Sequence, residues 1–174
     1  VSDIVATAEF KAFSKVVKAG GMVKAINAKG CIDLSRKEID DLTAFAAVYQ
    51  AKGLAWIKIR DDQWQSPIAK FFSEEEKTAL SGRLGLEPGD LVMFVADQPK
   101  VTNEALGHLR THLGRKLGLI DDTRHSFLWV TEFPLLEYDE QEKRYEALHH
   151  PFTAPMESDI DHLAADPLVV RSRA

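Results

Sequence analysis

Leu91-Val92-Met93-Phe94-Val95-Ala96 is an unbroken apolar run, closed in front by the turn residues Pro88-Gly89-Asp90 and behind by Pro99. So short a run is too brief for a stable helix and reads as a buried strand. A buried strand needs neighbours, and the flanking sequence supplies them. After Pro99, Leu106, Leu109, Leu113 and Leu117 step by three and four, which predicts an amphipathic helix from about Val101 to Leu117 that stops at Gly118. Before the run, Ser73-Glu74-Glu75-Glu76 is a capping box. Its serine hydroxyl takes an orphan amide while the last glutamate reaches back, opening a helix through Leu80 and Leu84 to Gly85. Pro67 to Phe72 forms a short turn or helix. Leu54-Ala55-Trp56-Ile57-Lys58-Ile59 is a strand with Trp56 on the face opposite Ile57 and Ile59.

Farther out, Ser35-Arg36-Lys37-Glu38 is another capping box, with Ile39, Leu42, Ala46 and Tyr49 along one face of the helix it opens. Met22 to Lys29 alternates as a strand and meets a turn at Gly30. Phe10, Phe13, Val16 and Val17 recur at helical spacing until Gly20-Gly21. The order αβαβαβα, with the middle helix doubled, is an α+β domain.

Beyond a boundary near Asp121 to Arg124 the sequence becomes strand-rich. Phe127 to Tyr138 and Tyr145 to His149 flank the charged turn Asp139-Glu140-Gln141-Glu142-Lys143, a β-hairpin with a polar tip. Asp159 to Ala165 reads as a short acidic helix before Asp166-Pro167, and the chain ends on an apolar strand around Leu168-Val169-Val170. A start on Val1 rather than Met, and that last strand, read as a piece of a longer protein.

Composition narrows the classes. The chain has 174 residues, of which 45% are hydrophobic and 28% charged, enough apolar content for a packed core and too mixed for a disordered or collagen-like chain. No apolar run approaches the roughly 20 residues of a spanning helix, and the amino end lacks the pattern of a signal peptide, so a soluble cytoplasmic protein is expected. With 22 Lys and Arg against 27 Asp and Glu the net charge is −5, so any nucleic-acid contact must be local. The single cysteine, Cys31, lies between Gly30 and Ile32 and reads as a small buried hydrophobe.

Few residues carry a chemical pattern. His108 and His112 are four apart on a helix, but no further ligand follows in a recognisable motif, and they read as a solvated polar face. Glu157, Asp159, Asp161 and His162 lack the glycine and final glutamate of a calcium loop; an acidic first turn suits a helix start. Arg110, Arg115, Lys116 and Arg124 form a modest basic stretch. His149 and His150 are adjacent in an extended segment, so only one of them faces any given pocket. There is no Gly-rich phosphate loop and no Gly-x-Ser-x-Gly elbow.

Longer strings say more. Trp129-Val130-Thr131-Glu132-Phe133-Pro134-Leu135-Leu136-Glu137-Tyr138, followed by His149-His150-Pro151-Phe152-Thr153-Ala154-Pro155, resembles the segment of bacterial-type aspartyl-tRNA synthetases that follows their inserted GAD domain. Ser35-Arg36-Lys37-Glu38-Ile39-Asp40, Lys52-Gly53-Leu54-Ala55-Trp56-Ile57, Ser66-Pro67-Ile68-Ala69-Lys70-Phe71 and Val101-Thr102-Asn103-Glu104-Ala105-Leu106-Gly107 resemble successive stretches of that domain, in the same order.

The resemblance implies a GAD-type insertion over residues 1–122, a mixed or antiparallel sheet with helices on one face. Residues 123–174 would then be part of the antiparallel sheet of a class II synthetase. It implies an ATP- and magnesium-dependent enzyme that joins aspartate to tRNA(Asp), works in the cytoplasm as a homodimer, and touches neither membrane nor DNA. The first histidine of His-His-Pro-Phe-Thr lines the aspartate pocket in that family, which puts His149 at the ligand with His150 beside it. Arg110, Arg115 and Lys116 become candidate tRNA phosphate contacts. The anticodon-binding barrel and the two Arg-bearing class II motifs have no counterpart here, so the stretch alone is expected to hold no catalytic residue, cofactor or metal and to be inactive. The rival expectation is a free-standing, non-catalytic GAD-type module that binds tRNA or a protein partner.

Overall fold

The computed structural model describes residues 1–61, 63–139 and 141–173, and the chain divides into two compact units, Val1–Asp121 and Asp122–Ala174.

The first unit is built around the strand that opened the sequence reading. Its elements are α1 (Ser2–Val5), α2 (Lys11–Lys18), β1 (Met22–Ala28), α3 (Arg36–Val48), β2 (Ala55–Arg60), β3 (Gln63–Gln65), α4 (Glu74–Leu84), β4 (Leu91–Asp97) and α5 (Pro99–Lys116). The sheet runs β1-β4-β2-β3 and every pairing is antiparallel. Met93 of β4 sits opposite Ile26 of β1 on one side and Trp56 of β2 on the other.

Side chains on β4 alternate between two cores, as the two-residue strand period requires. Leu91, Met93 and Val95 pack with Ile39, Leu42 and Ala46 of α3 and with Ala105, Leu106, Leu109 and Leu113 of α5. Val92 and Phe94 pack on the opposite face with Val5 of α1, Phe13 of α2 and Leu80 of α4, joined by Ile57 and Ile59. Helices therefore cover both faces of the sheet, which corrects the expectation of helices on one face. The cause is local: β4 is apolar and buried at every position from Leu91 to Val95, so neither face can be left to water. Each fully buried side chain of this size contributes about 1.5–3 kcal/mol.

Both predicted capping boxes form. The Ser35 hydroxyl accepts from the Glu38 amide, and Glu38 accepts in return from the Ser35 amide at 2.9 Å; Ser73 and Glu76 repeat the arrangement. Gly85 ends α4 in the left-handed conformation, φ 57°. Gly21, between α2 and β1, is required for space. A Cβ there would lie 2.6 Å from Val16 Cγ1 and 2.9 Å from the Asp97 carbonyl.

Asp90 locks the start of β4 to the end of β1. Its buried carboxylate accepts from Asn27 Nδ2 at 2.8 Å and from the Gly30 and Glu87 amides at 3.1 and 3.0 Å, and pairs with Lys29 Nζ at 3.3 Å. Burial pushes this carboxyl's pKa up, but the hydrogen bonds outweigh it and hold it below the ordinary value.

The second unit is different. β5 (Leu136–Asp139) and β6 (Arg144–Ala147) form a two-stranded hairpin with Tyr138 and Tyr145 ring to ring at 5.2 Å. The hairpin is shorter than expected. No strand pairs with Phe127–Val130 among the described residues, and Phe127 and Trp129 are 96% and 95% exposed. The predicted acidic helix is a 3-10 helix, Glu157–His162, because Asp159 folds back onto Arg171 instead of capping an α-helix. The final segment makes only isolated bridges, Pro134 to Arg171 and Pro155 to Ser172, after a 3-10 turn at Pro167–Val169.

Candidate functional site

In the second unit three extended segments lie side by side. The Leu148 amide donates to the Leu135 carbonyl at 3.1 Å, the Leu135 amide to Val170 at 2.8 Å and the Ser172 amide to Phe133 at 2.7 Å. These bonds fix His149, which directly follows Leu148. Its ring meets the Phe133 ring edge-on at a centroid distance of 4.8 Å, and its Nε2 is buried with no hydrogen-bond partner. An unpaired polar atom out of water costs about 1–3 kcal/mol.

His150 behaves otherwise. It is exposed, its Nδ1 accepts from the Phe152 amide at 3.3 Å, and its ring leans on the exposed Phe152 ring at 4.7 Å. With Nδ1 already an acceptor, the neutral ring carries its proton on Nε2, toward solvent. The two adjacent histidines are thus distinguished by geometry: one offers an unsatisfied nitrogen from within the fold, the other is spent on its own turn. Phe133, which walls one side of His149, was not singled out in the sequence, although it sits inside the quoted Trp129–Tyr138 string.

The scaffold behind these segments is Arg171. Its Nε and Nη2 donate to the two oxygens of Asp159 at 2.8 and 2.9 Å, Nη1 donates to Glu132 at 2.9 Å, and its own amide donates to Asp159 Oδ2 at 3.0 Å. The Arg171 guanidinium holds the Asp159 carboxyl well below the usual carboxylate range, helped by Ser158. Nothing in the spacing of Asp159 and Arg171 announced this pair. The acidic cluster noticed in the sequence is thus a structural anchor, and among the described residues no group of three or more His, Cys, Asp or Glu is placed to hold a metal ion.

In the first unit the basic stretch splits. At 100° per residue, Arg110, Arg115 and Lys116 point to different sides of α5. Lys116 is taken by Glu38 of α3 at 3.1 Å, and the Glu38 carboxyl falls to about 2, chiefly through the Ser35 amide and then through Lys116. Arg110 stands at the rim of a groove of about 650 Å³ between β1 and α5, and Arg115 is exposed. His108 and His112 are exposed, as expected of a solvated face, and their rings also lean on α3. The His108 ring lies 4.0 Å from Tyr49, 7° from parallel, and His112 lies 4.4 Å from Phe45. Cys31 is buried and free, and burial raises its thiol pKa. Among the described residues no helix is long and apolar enough to cross a membrane.

Comparison with known proteins assigns the first unit. The family model described as GAD domain matches residues 13–106, more than half of the chain. The chain belongs to the GAD domain family. The GAD match spans α2 through the first turns of α5 and includes the whole four-stranded sheet. Similarity continues past it over the entire chain. An aspartate–tRNA(Asp/Asn) ligase of Desulfatibacillum aliphaticivorans is 66% identical over 175 residues, which cover 100% of this chain and 29% of that protein. The aspartate–tRNA(Asp/Asn) ligase of Desulfosudis oleivorans is 59% identical and the aspartate–tRNA ligase of Geobacillus kaustophilus 54% identical, again along 100% of the chain and 29% and 30% of their lengths. The chain spans less than a third of the length of these relatives.

Proposed function

We propose that this chain works as part of an aspartate–tRNA ligase, with residues 1–122 as its GAD insertion and residues 123–174 as a segment of its catalytic domain. The observation that carries the reading is the similarity along the whole chain, 66% identity to one such ligase, with no gap in cover where the GAD match ends. In such an enzyme the aspartate carboxylate bonds to the α-phosphorus of ATP and pyrophosphate leaves, giving aspartyl-adenylate, and the terminal hydroxyl of tRNA(Asp) then displaces AMP; magnesium would supply charge neutralisation of the ATP phosphates. In this reading the ATP and magnesium chemistry belongs to the rest of the enzyme, and the chain alone is expected to be inactive.

What this chain contributes to substrate binding is His149. Its buried, unpartnered Nε2 can bond to the substrate, and a protonated imidazole pairs with the charge of aspartate but not with neutral asparagine, a distinction apolar packing does not make. His150 supports the turn beside it through the Phe152 amide. The apolar residues left in water, Phe127, Trp129 and Phe152, form the surface onto which the remainder of the catalytic sheet packs in this reading. Arg110 and Arg115 are phosphate contacts for tRNA; Lys116 contributes less because Glu38 holds it.

The test is aspartate-dependent exchange of pyrophosphate into ATP by the full-length protein that contains this chain. Exchange with aspartate, absent with asparagine, is expected. His149→Ala should raise KM for aspartate by about 10- to 100-fold, the size of one lost hydrogen bond to a charged group, and leave KM for ATP unchanged. His150→Ala should change it less than about threefold. No exchange by the full-length protein, or exchange by the isolated chain, overturns the reading.

A further inference from the structure

A concave surface of the first unit that is rich in cations lies along β2. Two cavities of about 390 and 530 Å³ share Arg36, Trp56, Ser66 and Pro67 and join as one groove along β2. Lys52 lines one end, Lys58 and Arg60 the other, and no Asp or Glu lines either part among the described residues.

The strand period builds the groove. Ile57 and Ile59 point into the second core, so Trp56, Lys58 and Arg60 project together from the opposite face, about 7 Å apart. The Arg36 guanidinium lies 5.4 Å from the centre of the Trp56 ring. Nearby carboxylates offset part of the row's charge and leave donors free. Asp40 takes Arg36 Nε at 3.1 Å and leaves both terminal nitrogens, Asp97 takes Lys52 at 3.2 Å, and Asp61 follows Arg60 in the adjoining turn. Lys58 Nζ spends one donor on the Leu34 carbonyl at 2.6 Å and keeps two.

We propose that this groove binds an unpaired stretch of RNA, with a base against Trp56 and Arg36 and phosphates on Lys52, Lys58 and Arg60. An aromatic face flanked by cations is the chemistry that single strands need, because every base has a stacking face and every link a charge. An acidic peptide fits less well. β3 pairs only with Lys58–Arg60, leaving Ala55–Ile57 as a sheet edge, but Ser66 Oγ donates to the Trp56 carbonyl at 2.6 Å and occupies the acceptor that an added strand requires. The choice of RNA among polyanions rests on the tRNA-ligase reading.

The test is fluorescence anisotropy of a labelled single-stranded RNA 12-mer with the 174-residue chain at several salt concentrations. Binding is expected to weaken with salt at a log–log slope of about −2, three phosphates at about −0.7 each. Annealing the probe into a duplex should weaken binding at least about fivefold, since the base faces are then hidden. The double variant Lys52→Glu, Arg60→Glu, both surface positions, should weaken it about tenfold or more, and Trp56→Leu about tenfold. Lys77→Glu, on α4 and lining neither cavity, should change it less than twofold. Should Trp56→Leu lose its thermal transition, the surface double variant decides alone. Equal loss with Lys77→Glu, no loss with the double variant, no RNA binding, or a poly-glutamate peptide that competes as well as RNA each overturns the proposal. Pyrophosphate exchange needs no RNA, so RNA binding without exchange would sink the ligase reading and spare the groove, and exchange without RNA binding would do the reverse.

Discussion

The two units of this chain are stabilised by different physics. Among the described residues, all but two of the buried apolar ones lie in the first unit, on both faces of β4; the second buries only Leu135 and Val170 of them and is held by a short hairpin and the Arg171 ion network. Large aromatic and aliphatic side chains face water at Phe127, Leu128, Trp129 and Phe152 in the second unit, whereas the first unit's phenylalanines interlock, Phe13 with Phe94 at 5.5 Å and with Phe72 at 6.3 Å. A unit with a closed apolar core specifies itself. A unit that leaves its aromatics exposed and relies on charge is built to be completed by other surface.

The widest separation should come from deleting one ring in each unit. Phe94→Ala removes a side chain buried at the crossing of β4 with α2, and should destabilise the first unit by about 3–5 kcal/mol. Phe152→Ala, at 92% exposure, should change stability by less than about 0.5 kcal/mol. Urea unfolding followed by circular dichroism measures both, and similar losses would erase the contrast.

Next in size is Asp90→Ala. Four partners converge on this carboxylate, and its removal strands two backbone N–H groups at the junction of β1 and β4 and leaves the Asn27 amide only its longer bonds to the Leu84 and Gly85 carbonyls, a loss of about 3 kcal/mol. The pH dependence follows from the depressed pKa. A carboxyl that binds its proton less readily when folded stabilises the fold above its unfolded value, near 3.9, and that stability disappears as pH falls toward the folded value. Wild-type stability should therefore fall faster below about pH 4 than that of the Asp90→Ala variant. Parallel pH profiles would remove Asp90 from the account.

How much of this was legible in the sequence follows the same division. The first unit's strands and helices are local patterns: the apolar run of β4, the serine caps at Ser35 and Ser73, the leucine spacing of α5. What escaped were features fixed at a distance. α1 and β3 are too short to carry a period, and the second layer of helices depends on which face each strand turns to its neighbours. His108 and His112 are exposed as their own helix predicts, but the rings they lean on, Tyr49 and Phe45, come from another helix and leave no trace in that spacing. In the second unit the Asp159–Arg171 pair spans a dozen residues with no periodic signal, so the acidic cluster looked like a helix start. The candidate ligand residue, His149, owed its selection to resemblance; its orphaned Nε2 became visible only with the backbone in place.

Arg171→Met isolates the charged half of the comparison. It keeps the length of the stem and removes the bonds to Asp159, Glu132 and Ser158, so amide exchange at Leu135 and Ser172 should accelerate about tenfold or more while Leu91 to Val95 remain protected. The contribution of Asp159 has the same sign as that of Asp90: its depressed carboxyl supports the fold at neutral pH and is lost only in acid, so Leu135 and Ser172 protection should hold steady between pH 5 and 7. Within the wild type, Phe127 to Leu136 should already exchange faster than β4, since few of these amides have a partner strand. Equal protection would mean that the second unit needs no further surface.

The smallest effect probes the seam where the first unit's own core reaches the solvent. His108 and Tyr49 are stacked nearly parallel at 4.0 Å between α5 and α3, outside the aliphatic core that already joins those helices. Removing the ring by His108→Ala should therefore cost only about 1 kcal/mol, the scale of one aromatic pair, against the several kcal/mol of Phe94. His112→Ala, over Phe45, should behave alike, and because the two pairs are consecutive along one interface the double variant should lose close to the sum. A loss for His108→Ala as large as that for Phe94→Ala would mean that the α3–α5 contact is held by its rim and not by Leu42, Ala46 and Leu109 beneath it. The contrast between a unit sealed by apolar packing and one tied by polar contacts would then fail inside the first unit itself.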